Sequence, residues 1–167
     1  MRAMTWRDFM AGGWRKAGVP AMAPAAAQAD LVELFKSARR LEIKRDGKML
    51  KAYRVALGFA PDGHKEREGD GRTPEGRYMI DARNPSSAFH LSLRVSYPDG
   101  KDKARAAASG ASPGGDIFIH GQPNGLRKFF NGHPREDWTV GCVAVTDAEI
   151  REIWSLVPIG ARIMIHP

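Results

Sequence analysis

Cys142 closes the run Asp137-Trp138-Thr139-Val140-Gly141-Cys142 and is the chain's one cysteine. It follows His120, which ends the apolar run Ile117-Phe118-Ile119. A lone thiol cannot form an internal disulfide and is short of partners for a zinc site. Two roles remain: a buried structural cysteine or a nucleophile. Cysteine attacks as a thiolate, so a catalytic thiol needs a base or a positive field nearby, and His120 is the candidate base. The glycine just before the thiol, Thr139 three residues before it and the pair His120-Gly121 after a strand favour the nucleophile. Acyl transfer also needs donors for an oxyanion. The backbone of Thr139, Val140, Gly141 and Cys142 can supply them, because glycine permits a turn that aims successive N–H groups at one point. Gly121 lets the chain pass close to a reacting carbonyl, or is a plain turn glycine. Trp138 either stacks on a substrate or roofs the loop. Thr139 either bonds within the site or holds a local turn.

The other four histidines compete with His120 for the role of base. His133 lies nearer to the thiol in sequence, but within Asn131-Gly132-His133-Pro134, a loop segment poorly suited to holding a base in place. His64 sits in a polar loop and His166 at the terminus, and both are expected to be solvated. His90 alternates with Ser92 and Arg94 on the polar face of an expected strand, where it either lines a cleft or faces solvent.

The elements that must carry these groups are mostly strands. Leu31 to Lys36 is a short apolar run. Leu41 to Ile43 and Met49 to Leu57 flank Asp46-Gly47, a hairpin turn signal because both residues tolerate positive φ. Gly58 to Arg72 reads as a polar Gly-rich loop leading into a strand at Arg77 to Asp81. Phe89 to Tyr97 alternates apolar and polar residues, as a half-buried strand does. Lys101 to Ala108 reads as a short helix, ended by the stretch Gly110 to Gly115. After the strand Ile117 to Ile119 comes a loop of about twenty residues, a length that is usually functional or disordered. Thr146 and Glu149 form a capping box, followed by Ile150, Ile153, Trp154 and Val157 on one helical face. Ala161 to His166 supplies a last strand. This pattern predicts a mostly β, sandwich-like fold with a few short helices in a single domain.

Composition sets the outer limits. The 167 residues, 43% hydrophobic and 27% charged, suit one globular domain. A net charge of +7 is compatible with nucleic acid, anionic lipid or an anionic polymer such as the bacterial wall. The basic residues are scattered, with few aromatics among them, which argues against nucleic acid. No apolar stretch is long enough to span a bilayer. Residues 1–30 read as a disordered tail or a weak export signal, with Arg15-Lys16 before an Ala-rich segment ending in Ala27-Gln28-Ala29. The domain is expected over 31–167.

These motifs resemble the YkuD-type L,D-transpeptidase catalytic domain, in which a His-Gly pair, a loop and [Ser/Thr]-x-Gly-Cys recur. The likeness extends through Gly69-Asp70-Gly71-Arg72-Thr73-Pro74-Glu75-Gly76-Arg77-Tyr78, Phe89 to Leu93 and Gly114-Gly115-Asp116-Ile117. Asp137-Trp138 before the threonine, and a helix containing Glu149, Glu152 and Trp154, are similar to the YafK-like subgroup. The chain departs from the wider family in a longer His-to-Thr loop. It also carries Val140 where His or Arg is frequent, and Ala144 where Arg or Asn is frequent. The resemblance implies that Cys142 attacks the carbonyl of the L-centre of diaminopimelate in peptidoglycan stem peptides. It implies that His120 moves the proton, oriented by a carbonyl just after it. Water or an amine then resolves the thioester. Gly121, Trp138, Thr139, Val140, Gly141 and His90 are the expected oxyanion or substrate contacts. No metal or cofactor is implied, and the expected setting is the periplasm or cell envelope, as a monomer. Two rivals remain. One is a cysteine peptidase of another specificity, although papain-type enzymes place Cys before His. The other is a non-catalytic peptidoglycan-binding module.

Overall fold

The computed structural model describes residues 18–125 and 136–167. Among the described residues eight strands, β1 (Leu31–Phe35), β2 (Arg40–Arg45), β3 (Lys48–Arg54), β4 (Gly76–Asn84), β5 (Ser92–Val95), β6 (Phe118–His120), β7 (Val143–Ala144) and β8 (Arg162–His166), form one sheet in the order β3-β2-β1-β8-β4-β5-β6-β7. Strands β1, β2 and β3 form an antiparallel meander. The β2–β3 turn is the expected Asp46-Gly47, with φ of +48° and +75°. Two successive left-handed residues are what a two-residue hairpin with right-twisted strands requires.

Strand β4 (Gly76–Asn84) is the corner of the fold. Its first half, Gly76 to Met79, pairs with β8 (Arg162–His166), and its second half, Ile80 to Asn84, pairs with β5 (Ser92–Val95) across a register shift. A bulge of this kind bends a strand and lets one sheet curl into two layers. The curl closes on a single apolar cluster that includes Val32, Leu34, Ile43 and Ile163 from one half and Leu93, Ile119 and Val143 from the other. The fold is thus mostly β and a single domain, as the strand pattern predicts.

Among the described residues two α-helices and a 3-10 turn at Ala25–Ala27 complete it. The first, α1 (Gly100–Ala108), is capped by Asp99 and Asp102 in a reciprocal box. The second, α2 (Asp147–Leu156), is capped by the Thr146 and Glu149 pair expected from sequence. Its apolar face of Ile150, Ile153 and Trp154, continued by Val157, is buried against β5 and β6. Residues 18–30, expected as part of a tail, instead run along this helix. Ala23 and Ala29 N–H donate to the carbonyls of Ser155 and Leu156, and Ala29 is 4% exposed. Among the described residues no helix is long and apolar enough to cross a membrane.

Candidate active site

His120 ends one strand and Cys142 immediately precedes its neighbour. Strand β6 (Phe118–His120) pairs in parallel with β7 (Val143–Ala144), with Ile119 opposite Val143 and His120 opposite Ala144. One step back in that register, Cys142 falls opposite Phe118. Side chains alternate along a strand, so Ile119 and Val143 share the core face while Cys142 and His120 share the other. They are therefore diagonal neighbours, a spacing that long or aromatic side chains can bridge.

His120 is 3% exposed, and its Nδ1 lies 2.7 Å from the Gly121 carbonyl. A carbonyl only accepts, so Nδ1 carries the proton and Nε2 keeps the lone pair in the neutral ring. Burial holds the imidazole pKa below its ordinary value, against the opposing pull of that carbonyl. Cys142 is half-buried, and burial pushes its thiol up to about 11. The Phe118 N–H and Lys65 favour the thiolate, whereas the Asp116 carboxylate disfavours it. The thiol donates to the Asp116 carbonyl at 3.4 Å. Both shifts favour the uncharged forms, a neutral imidazole and a thiol.

The turn that carries the thiol is locked from inside. Thr139 is 4% exposed, and its Oγ1 donates to the Cys142 carbonyl at 2.7 Å while accepting the Gly141 N–H at 3.1 Å. Gly141 N–H is therefore engaged by Thr139 Oγ1, which holds the turn. The N–H groups of Val140 and Cys142 have no backbone or side-chain acceptor among the described residues. The turn is also tied to the chain beside it, with Thr139 N–H donating to Leu57 and Phe59 N–H donating to Thr139. Gly141 has φ of +133°, and a Cβ there would lie 2.7 Å from the Arg72 carbonyl oxygen. Gly141→Ala should therefore destabilise the fold by about 2–4 kcal/mol in urea titration, since strain and a backbone clash add. An alanine variant as stable as the parent would show that the turn relaxes freely.

An aromatic group backs the His120 ring. Phe89 lies 4.5 Å from the His120 ring centroid, and Trp138 packs against His120 edge-on at 5.9 Å. Trp138 is thus a wall of the His120 pocket, and its buried Nε1 has no partner among the described residues. His90 departs from expectation. Strand β5 begins at Ser92, and His90 sits in the bend before it at φ +69°. The reason is Gly121, whose N–H donates to both the Phe89 and Leu91 carbonyls and so pulls the chain around it. His90 N–H donates to Asn124 Oδ1 at 3.0 Å, and its buried Nε2 is unpartnered among the described residues. Gly121 itself leaves no room for a side chain, because a Cβ would lie 2.7 Å from Asp147 Oδ1.

Two other histidines are held rather than solvated. His64 Nδ1 accepts the Glu75 N–H at 3.0 Å, and its Nε2 lies 3.0 Å from Asp102. His166 stacks on Phe35 at 4.7 Å and meets Glu33 at 3.0 Å. Both positions depend on partners far along the chain, which a local reading of polarity cannot see. His133 lies outside the described residues. Sequence reasoning singled out Asp137 as part of a motif but gave it no contact. Its carboxylate receives Arg39 through Nε at 2.9 Å and Nη2 at 2.7 Å, and the Leu57 N–H at 2.9 Å. This fork anchors the start of the thiol turn to the β1–β2 connection.

A profile of the YkuD family, the L,D-transpeptidase catalytic domain, matches residues 29–165. The chain belongs to that family. The Escherichia coli (strain K12) protein YafK is 25% identical over 142 residues, covering 81% of this chain and 50% of its own. The chain spans about half the length of the curated relatives it matches. Among solved structures, the helical cell shape determining protein Pgp2 of Campylobacter jejuni superposes with a TM-score of 0.62 at 22% identity, over 89% of this chain and 51% of that one. Bd1075 of Bdellovibrio bacteriovorus gives 0.59 at 22%, over 88% and 51%. At these identities the two structures establish the likeness of fold.

Proposed function

We propose that the protein is a cysteine acyltransferase or hydrolase of the cell envelope that acts on peptidoglycan stem peptides. The reading rests above all on the tautomer of His120, whose Nδ1–H is held by the Gly121 carbonyl on the sheet face that Cys142 shares. In the first step the Cys142 S–H proton passes to His120 Nε2, and the thiolate attacks the carbonyl of the L-centre of diaminopimelate. The oxyanion is met by the N–H groups of Cys142 and Val140. The imidazolium then protonates the departing amine as the carbon–nitrogen bond breaks, leaving a thioester on Sγ. Water or an acceptor amine attacks the thioester, His120 takes its proton, and Sγ leaves as thiolate to be reprotonated. No step calls for a metal or organic cofactor.

The rim beside the nucleophile favours water over a second peptide. Val140 is 61% exposed and Phe59 57% exposed, and the Gly58–Thr139 bridge sets them side by side. Ala144 is fully buried against Ala56 and offers an acceptor peptide no polar group. A charge-assisted contact to a carboxylate is worth about 1.5–3 kcal/mol, and among the described residues Val140, Phe59 and Ala144 supply none at this rim. With a stem tetrapeptide and an excess of diaminopimelate-containing acceptor, free tripeptide should accumulate faster than cross-linked dimer. Dimer forming first would make transpeptidation the main activity. Incubation with a carbapenem followed by intact mass should show one adduct on Cys142. A protein that neither forms this adduct nor alters purified muropeptides would instead be a binding module.

A further inference from the structure

The end strand of the sheet sets two arginines face to face. In the β2–β3 register Arg40 stands opposite Arg54. Val55 N–H donates to the Arg39 carbonyl at 2.9 Å, which makes Arg39 and Val55 a hydrogen-bonded pair. Such pairs alternate with open ones, so Arg40 and Arg54 form the open kind, in which side chains stand closer. Like charges directly opposite one another destabilise a sheet. The fold relieves this pair only in part. Arg40 lies 2.7 Å from Glu42, but that carboxylate also holds Lys44 at 2.8 Å. The exposed Arg54 side chain meets no acceptor among the described residues.

The pair borders an open cleft of about 500 Å³, lined by residues 37–40 and 52–54. No acidic side chain lines it. Arg39, the third guanidinium there, is turned onto Asp137 at 2.7 Å and so is already neutralised. The Arg54 N–H points away from β2, as it must in an open pair, and β3 ends the sheet, so this donor faces the same free edge. Two guanidinium groups and a backbone N–H suit an oxyanion, above all a carboxylate, which a guanidinium can grip through two parallel bonds. The cleft is near the thiol turn without belonging to it. Arg54 is four residues from Gly58, which bridges Thr139, so the Cα atoms of Arg54 and Gly58 are at most about 14 Å apart. A wall polymer carries a stem peptide with free carboxylate at each repeat, so a strand with one stem at Cys142 brings others within reach.

We infer that the Arg40–Arg54 cleft is an anion subsite that holds a carboxylate of a non-reacting stem peptide on the same wall strand. The inference rests on the peptidoglycan reading above and adds a second point of attachment to it. The test compares the parent with Arg54→Gln and Arg40→Gln/Arg54→Gln, using peptidoglycan sacculi purified free of phosphate polymers. Co-sedimentation with sacculi at low salt should weaken roughly fivefold in the double variant, as expected for two partly exposed ion contacts. Amidating the sacculus carboxyl groups should bring the parent down to the same level. Cleavage of an isolated stem tetrapeptide should be unchanged in both variants, since neither arginine touches the thiol turn. Arg54→Gln should melt no lower than the parent, because it removes a facing like charge, and it carries the comparison if the double variant misfolds. Equal binding by parent and variants overturns the inference. So does parent binding that survives amidation but yields to inorganic phosphate beyond the effect of equal ionic strength, for the cleft would then take phosphate. A parent that binds sacculi through these arginines yet cleaves no stem peptide would sink the enzymatic reading and leave the subsite standing.

Discussion

Cys142→Ala should lower turnover of muropeptides by at least roughly 10³-fold while the protein stays folded. The change removes one sulfur from a half-buried position and leaves the backbone untouched. The Cys142 carbonyl would still accept from Thr139 Oγ1, and Gly141 would keep its φ. Little packing is lost, so the melting temperature should move by only a few degrees. The carbapenem adduct should vanish along with activity. Retained turnover in purified Cys142→Ala protein would falsify the thioester mechanism, whatever the stability result. A protein that loses activity and also melts far lower would instead show the thiol to be part of the core.

The strands and helices were legible where short-range chemistry decides them. Asp46-Gly47 marks its hairpin because only residues tolerant of positive φ fit a two-residue turn. Thr146 and Glu149 mark α2 because each satisfies a free N–H of the other at the helix start. The parallel β6–β7 pair that joins Cys142 to His120 was legible only as a resemblance, since a two-residue strand carries no period. The environment of the site was less readable. Lys36 ends an apolar run and Lys65 sits in a polar loop, and neither setting announces a buried charge, yet both are buried, Lys36 on Glu75 at 2.7 Å and Lys65 on Asp70. The Arg39–Asp137 fork joins residues at opposite ends of the chain. Burial of a charge is decided by such distant partners, and nothing in the local composition reports them. His90 was misplaced for a related reason. The alternation from Phe89 to Tyr97 is real, but the close approach of Gly121 claims the first three residues for a bend.

The role of His120 leads to a sharper expectation, set by the sign of its perturbation. Burial lowers the imidazole pKa, so the folded protein prefers the neutral ring. Neutral imidazole is the form that takes the thiol proton, which places the acid limb of kcat/KM below the ordinary value of about 6.5. Burial pushes the thiol up to about 11, so in the proposed mechanism the thiolate is made by transfer to Nε2. His120→Gln should therefore cut kcat/KM at pH 7 by roughly 10²–10⁴-fold. What remains should climb with pH toward 11, as hydroxide generates the thiolate directly. Stability should respond in the opposite region. A buried histidine with a depressed pKa contributes fully above about 6.5, and its contribution is lost as pH falls toward the folded value. The parent should thus lose stability below 6.5 through this ring, and the Gln variant should lose less. If His120→Gln keeps a flat rate profile through pH 7, a group other than His120 removes the thiol proton.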